Sequence, residues 1–433
     1  MSSICIDGFN LALPKGSGIA TYGRNLLRAA NALGMTTSVI YGPAARPIGD
    51  NAADLAAIAD GPPPKSRINK AARWRRTLLS GLGRRAHPVQ FDDAIIWRGG
   101  HSEVPAADGL WSAQDLFTLS GRAFQKYRAF TPLSFAPSES LARPSIVHWT
   151  CPLPLHAKGS VNVVTIHDLI PLKLPHTTTD DTSAYFDLCR RAVASADHVV
   201  TVSEQTKRDV MQLLGVEEAR ITNTYQAVTM PQAAATKSDD EAALDVERTL
   251  NLGWGQYFLY FGAIEPKKNL ARLIEAHLTS GVKAPLVIVG GRGWLDDDEN
   301  AFLNQLHHDT ADRASRVRRY PYMPHHLLLS LIRGARGVVF PSLYEGFGLP
   351  VLEAMMLGAP VVTSNAGALP EVAGNAAVTV DPYDIASIRA GILRIDADEA
   401  FRAELIRSGR RQAETFSAAS YEKRLQELYA KLT

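Results

Sequence analysis

Cysteine is scarce in this sequence: Cys5, Cys151 and Cys189 are the only three in 433 residues. None stands in a C-x-x-C, which excludes a cysteine zinc site and a disulfide framework. Long hydrophobic runs are missing too, and without about 18 consecutive apolar residues nothing reads as a membrane span. Met1-Ser2-Ser3-Ile4-Cys5-Ile6-Asp7 has no basic stretch and no apolar core. A secretory signal is therefore not read there, and the expectation is a cytoplasmic protein. A surplus of charge is also absent, with 46 Lys plus Arg against 44 Asp plus Glu, which argues against a nucleic-acid partner. The 46% apolar and 21% charged residues are globular values that speak against wholesale disorder. The length exceeds what one core organises and implies two domains of about 200 residues each.

What is present centres on Pro341-Ser342-Leu343-Tyr344-Glu345-Gly346-Phe347-Gly348-Leu349-Pro350-Val351-Leu352-Glu353-Ala354. Gly337-Val338-Val339-Phe340 before it reads as a buried strand. Pro350 suits a first helical turn and Gly358 a helix end. The loop between carries Gly346 and Gly348, whose backbone can approach a ligand closely. Free N–H groups at the helix start favour an anion or a polar sugar. Glu345 belongs to the loop and Glu353 to the helix, so both can face one pocket.

This stretch, with Gly358-Ala359-Pro360-Val361-Val362-Thr363 and Leu369-Pro370-Glu371-Val372 after it, resembles the donor-binding motif of retaining family 4 glycosyltransferases of the GT-B fold. The resemblance implies an α/β architecture of two Rossmann-like domains facing across a cleft. It assigns Glu345 to hydroxyls of the donor sugar and Glu353 to the nucleotide ribose, with Gly346, Phe347, Gly348 and Leu349 lining the donor site. It also implies a nucleotide-sugar co-substrate with no cofactor and no metal. GDP-mannose is favoured as donor, with UDP- or dTDP-sugars as alternatives, and a saccharide or lipid-linked saccharide of cell-surface polysaccharide synthesis is the acceptor.

From the amino terminus, Ile4-Cys5-Ile6 is a strand candidate, followed by Lys15-Gly16-Ser17-Gly18 and a helix pattern. A dinucleotide fold needs G-x-G-x-x-G directly after the strand and an acid ending the next one. Here Thr21 stands at the third glycine position and Thr37-Ser38-Val39-Ile40-Tyr41 ends without an acid, so a dehydrogenase is not read. In the resembling family a glycine of this loop touches the donor; Gly18 matches best and Gly16 next. Residues 65–90 carry eight Lys/Arg and no acid, interleaved with Ile68, Trp74, Leu78, Leu79 and Leu82. Read as a helix, this segment is either a solvated basic face or one that lies on an anionic membrane surface, which would make the protein peripheral on the inner face. Val161-Asn162-Val163-Val164-Thr165-Ile166 runs into His167-Asp168, and a His-Asp pair at a strand's carboxyl end lies where open α/β sheets bind ligands. The resemblance makes both catalytic: His167 reaches the donor sugar, and Asp168 orients its ring or contacts the acceptor. Ser203 reads as a helix N-cap, and no Ser-His-Asp order or G-x-S-x-G supports a hydrolase.

Met230 to Ser238 has linker composition. The expected domains are 1–230 and 251–415, a linker at 231–250, and a carboxyl-terminal helix within 416–433 crossing back to the first domain. Tyr257-Phe258-Leu259-Tyr260-Phe261-Gly262 opens the second domain and leads to Glu265-Pro266-Lys267-Lys268-Asn269, where a lysine pair suits a diphosphate. Many family members carry Arg after that glycine, whereas this chain has Ala263; Lys267 supplies the charge instead. Asp296-Asp297-Asp298 is weighed as a metal-binding D-x-D and read instead as acids opening a polar helix. The competing enzyme readings are a GT-B phosphorylase and a nucleotide-sugar epimerase. A non-catalytic carbohydrate-binding scaffold is the reading from outside the enzymes.

Overall fold

The computed structural model describes residues 3–12, 18–44, 50–59, 77, 81–91, 106–230, 237–291 and 316–432. Strands of the first half are β1 Ser3–Asp7, β2 Thr36–Tyr41, β3 Arg84–Val89, β4 Gly109–Ser112, β5 Thr131–Phe135, β6 Ile146–Trp149, β7 Leu155–Ala157, β8 Val161–Ile166, β9 His198–Thr201 and β10 Ile221–Asn223. They form one sheet in the order β10-β9-β8-β6-β1-β2-β4-β3-β5-β7. The second half contributes β11 Phe258–Phe261, β12 Leu286–Val289, β13 Val317–Tyr320, β14 Gly337–Phe340, β15 Val361–Ser364 and β16 Val378–Val380, ordered β13-β12-β11-β14-β15-β16. All neighbours in this second sheet are parallel. A parallel sheet is covered on both faces, which is why β11, β12 and β14 are unbroken apolar runs, buried at every position.

Each sheet has a central reversal of strand order, between β1 and β6 in the first and between β11 and β14 in the second. Open α/β sheets bind ligands outside the carboxyl ends of strands at such reversals. The loops that follow β8, β11 and β14 carry His167-Asp168, Lys267-Lys268 and Glu345 respectively. The two-domain Rossmann-like expectation is met.

Two readings change. Residues 65–90 do not form one helix: residues 65–76 and 78–80 lie outside the described residues, and Arg84–Val89 is a strand. It pairs antiparallel with β4 and parallel with β5. Gly83 sets it off at φ 115°, a conformation that ends helical backbone, and tertiary pairing overrides the helical spacing. Of the linker at 231–250, residues 231–236 lie outside the described residues, while Asp239–Leu250 is a helix. Ser238 and Glu241 form a reciprocal capping box at its start, satisfying two backbone donors that a linker would leave to water.

The last helix, Ala418–Leu432, buries Tyr421, Leu425, Leu428 and Tyr429, an i, i+4, i+7, i+8 stripe. It packs on Gly18–Ala32 of the first half. There the Tyr429 hydroxyl meets His148 Nδ1 at 2.7 Å, and His148 Nε2 meets Thr165 Oγ1 at 2.7 Å. Burial lowers the His148 pKa to about 3, so this fully buried imidazole is neutral at physiological pH. Cys5, Cys151 and Cys189 are buried free thiols.

Candidate functional site

The loops after β11 and β14 are sewn together by their own backbones. The Leu343 amide donates to the Lys267 carbonyl at 2.7 Å. Asn269, at φ 62° before the helix Leu270–Ser280, sends Nδ2 to the Pro341 carbonyl at 2.9 Å and the Pro382 carbonyl at 2.6 Å. On its other side the Glu345 carbonyl accepts the Ala368 amide at 3.0 Å. Gly367 lies so close that a β-carbon there would fall 2.6 Å from the Glu345 oxygen. With its backbone fixed from both sides, Glu345 receives Lys268 Nζ at 2.5 Å, and only 15% and 12% of the two side chains is exposed. Burial pulls the Glu345 carboxyl up, but the charges of Lys268 and then Lys267 outweigh it, so its pKa is lowered. Lys267 is pulled down by burial and more strongly up by Glu345, Asp168 and Glu265, so its pKa is raised. Its Nζ lies 3.5 Å from the Glu265 carboxylate. The result is a charged pair of lysines held among carboxylates, an arrangement able to take a diphosphate in exchange for its present partners.

Glu353 sits differently. Its helix, Leu349–Met356, is capped by Gly348 at φ 114° with Pro350 in the first turn. Burial alone raises the Glu353 carboxyl from its ordinary 4.5 to about 7. Among the described residues no hydrogen bond or ion pair meets this side chain. A desolvated carboxyl with no partner is a candidate functional position. A group whose folded pKa is raised binds more protons folded than unfolded, so stability falls as pH rises from about 4.5 to about 7. At 1.36 kcal/mol per unit this amounts to about 3 kcal/mol. Glu353→Gln is therefore expected to match the wild type in urea denaturation at pH 4.5 and to be the more stable protein at pH 8. An equal difference at both pH values would show that the carboxyl is not held in this way.

From the first half, the His167 Nε2–H donates to the Thr150 carbonyl at 2.8 Å, leaving Nδ1 as the lone-pair nitrogen. The Thr150 amide in turn donates to Asp7, which is fully buried at the end of β1. Tyr22 meets the imidazole edge-on, with centroids 4.8 Å apart. Burial lowers the His167 pKa, so the ring is neutral above its ordinary range. Thr150 and Tyr22, not Asp168, hold the ring. The Asp168 carboxylate accepts the Ile170 amide at 3.0 Å, and its carbonyl accepts the Tyr185 hydroxyl at 3.1 Å.

The halves meet at Gly346. A β-carbon there would fall 2.2 Å from the His167 carbonyl oxygen and 2.7 Å from Asp168 Cβ. Gly18 faces Leu349, with 3.8 Å from its ideal β-carbon to Leu349 Cδ1. The structure thus brings His167, Asp168, Lys267, Lys268, Glu345 and Gly346 together, with Gly18 and Leu349 at a second contact between the halves. Phe347 is buried in a cluster with Tyr225 at 6.5 Å and Phe416 at 5.5 Å; its side chain packs the junction of the halves. Gly16 and Asp296 to Asp298 lie outside the described residues. Among the described residues no group of three His, Cys, Asp or Glu is placed to hold a metal ion. Sequence reasoning missed Glu265, although it stands in the quoted lysine motif. It also missed Thr150, Tyr22 and Asp7, whose roles arise from strand adjacency.

The description "Glycosyltransferase Family 4" matches residues 115–229, and "Glycosyl transferases group 1" matches residues 251–412. The chain is 35% identical over 260 residues to O-antigen chain mannosyltransferase B of Escherichia coli, covering 59% of this chain and 66% of that protein. It is 29% identical over 233 residues to O-antigen chain mannosyltransferase RfbU of Salmonella typhimurium, covering 54% and 60%. The chain thus matches slightly less than two-thirds of the length of these relatives. A crystal structure of Anabaena HepE in complex with UDP and glucose superposes with a TM-score of 0.65 over 100% of both chains at 14% identity, a likeness of fold.

Proposed function

Because the chain belongs to the family 4 glycosyltransferases of the GT-B fold, we propose that it transfers mannose from GDP-mannose, with retention, to a saccharide or lipid-linked saccharide during cell-surface polysaccharide synthesis. The observation that carries this reading is the Glu345–Lys268 pair, 2.5 Å apart, one residue from the Gly346 contact with His167. A sugar-hydroxyl acceptor, a diphosphate cation and a neutral imidazole are gathered where the two sheets' ligand-binding edges face each other. Mannose as the transferred sugar is supported by the O-antigen mannosyltransferases among the relatives. In the step we propose, the bond from the anomeric carbon to the diphosphate oxygen breaks on Lys268 and Lys267. The acceptor hydroxyl attacks from the same face, and its proton passes to the departing phosphate. Fixed cations aimed at that leaving group act where charge develops. Glu353 holds the ribose of the nucleotide.

The lysines supply the phosphate charge, so transfer is expected to need no divalent metal. The test is a thermal-shift screen of GDP, UDP and dTDP in EDTA, followed by turnover of the matching mannose donor. GDP is expected to give the largest shift. Lys268→Ala is expected to weaken GDP by about tenfold to a hundredfold, the worth of one charge-assisted hydrogen bond of 1.5–3 kcal/mol. Stabilisation by UDP alone would move the donor reading, and turnover lost in EDTA and restored by manganese would overturn the metal-free one. Contact with an anionic membrane through the basic residues that precede the Arg84–Val89 strand belongs to the same proposal for a lipid-linked acceptor. No helix among the described residues is long and apolar enough to cross a membrane.

A further inference from the structure

Both neighbours of Glu345 are held by one helix of the other half. That helix, Glu204–Leu214, is capped by Ser203, whose hydroxyl accepts the Thr206 amide at 2.9 Å. The Ser203 hydroxyl donates to Thr206 Oγ1 at 2.9 Å, which leaves the Thr206 proton for two carbonyls, His167 at 3.1 Å and Gly346 at 3.2 Å. One turn along, Asp209 is buried, with its side chain 1% exposed. It accepts Lys173 Nζ at 2.6 Å, Gln205 Nε2 at 3.0 Å and the Tyr344 hydroxyl. Lys173 also lies 3.1 Å from the Tyr344 oxygen and 4.6 Å from the centre of its ring. From the second half Glu371 completes the arrangement, its carboxylate accepting the Glu204 amide at 2.8 Å and the Gln205 amide at 3.2 Å. Those are donors that a helix start leaves without intrahelical partners.

We propose that this helix is a latch that registers His167 against Glu345, with Thr206, Asp209 and Tyr344 as positioning residues; the proposal rests on the transferase reading above. Lys173, Gln205 and Asp209 all belong to the first half, so the buried carboxylate keeps two donors when the halves part. The receptor for Tyr344 is thus already assembled before closure. Among the described residues the hydrogen bonds that cross at this helix are polar ones from Tyr344 to Asp209 and Lys173, from Thr206 to Gly346, and from the helix start to Glu371. Together they favour one registry, while each sheet keeps its own core. The Gly346 carbonyl and the Tyr344 side chain bracket Glu345 in sequence, so the latch fixes the carboxylate through its peptide neighbours without touching it. Turnover should then depend on the latch, whereas nucleotide binding, which uses Lys267, Lys268 and Glu353 of the second half, should not.

The test compares Tyr344→Phe with Thr206→Val, Thr206→Ser and the Tyr344→Phe/Thr206→Val double variant. GDP affinity is measured by calorimetry, and GDP-mannose turnover by GDP release with a mannose oligosaccharide as acceptor. In parallel, spin labels at Tyr127→Cys and Leu393→Cys report the separation of the halves; these sites are 39% and 40% exposed, while the native thiols are buried. The double variant is expected to lose turnover tenfold to a hundredfold, keep GDP affinity within twofold, and broaden the label-to-label distance distribution. Thr206→Ser keeps the hydroxyl and is expected to stay within threefold of the wild type. Turnover of the double variant within twofold, or GDP affinity falling as far as turnover, overturns the latch. If the wild type turns over no GDP-mannose, the donor reading has failed; the label distances then decide, and an unchanged distribution in the double variant overturns the latch without any substrate.

Discussion

Glu345→Ala is expected to lower turnover of GDP-mannose by about a thousandfold, the upper range for one preorganised electrostatic contact at a reacting centre, while GDP affinity holds or rises. The asymmetry follows from the pair itself. Before a donor arrives, the Lys268 charge is spent on Glu345 at 2.5 Å, and both side chains are largely buried. Deleting the carboxylate leaves that ammonium uncompensated, which is costly in the empty protein and is relieved when a diphosphate binds. The transferred sugar, by contrast, loses the group we assign to its hydroxyls. Because the lysines lower the Glu345 pKa, its ionised form contributes stability above its ordinary range that is lost as pH falls through the folded value. Glu345→Gln should therefore match the alanine variant in turnover at neutral pH, since a neutral amide lacks the charge that organises the lysines. Calorimetry with GDP and initial rates with GDP-mannose decide it. A variant that loses nucleotide affinity as steeply as turnover would place Glu345 on the nucleotide and not on the sugar.

How far the sequence disclosed this site depends on how local each cause is. Leu286–Val289 and Gly337–Phe340 are legible because a strand covered on both faces must be apolar throughout. Gly348 and Pro350 are legible because a helix start has few solutions for a residue at φ 114° and its neighbour. The capping box of Ser238 and Glu241 is equally local, but alanines 233–235 just before it have the composition of a linker. Strand Arg84–Val89 was not legible. Its partners, Gly109–Ser112 and Thr131–Phe135, are short, and its own basic residues fit a helix until the pairing is known. The latch is the least legible part. Thr206 and Gly346 are 140 positions apart, Asp209 and Tyr344 135. Serine, threonine and aspartate at those positions suit any ordinary helix start. Only the way the two sheets face each other gives them a shared partner.

Gly346→Ala is expected to cost at least a hundredfold in turnover while each half stays folded. Gly346 is not among the residues at positive φ, so alanine meets no backbone penalty of its own. The obstacle is the other half: the new carbon would lie 2.2 Å from the His167 carbonyl and 2.7 Å from Asp168 Cβ, about an ångström inside contact distance. Neither atom can yield alone, since the His167 carbonyl accepts from Thr206 at 3.1 Å and the following carboxylate caps the Ile170 amide at 3.0 Å. The halves must separate instead, and a displacement of about 1 Å between reacting groups can cost a hundredfold. Gly348→Ala is the contrasting case. Gly348 sits at φ 114°, and a β-carbon there would meet Leu369 Cδ2 at 2.7 Å, within its own half. That change strains the start of the Glu353 helix and should lower GDP affinity and melting temperature together. Gly346→Ala should leave the melting temperature within a few degrees and GDP affinity within tenfold. Turnover of Gly346→Ala within threefold of the wild type would mean that the His167–Gly346 contact is absent when the sugar is transferred, and that chemistry takes place with the halves further apart.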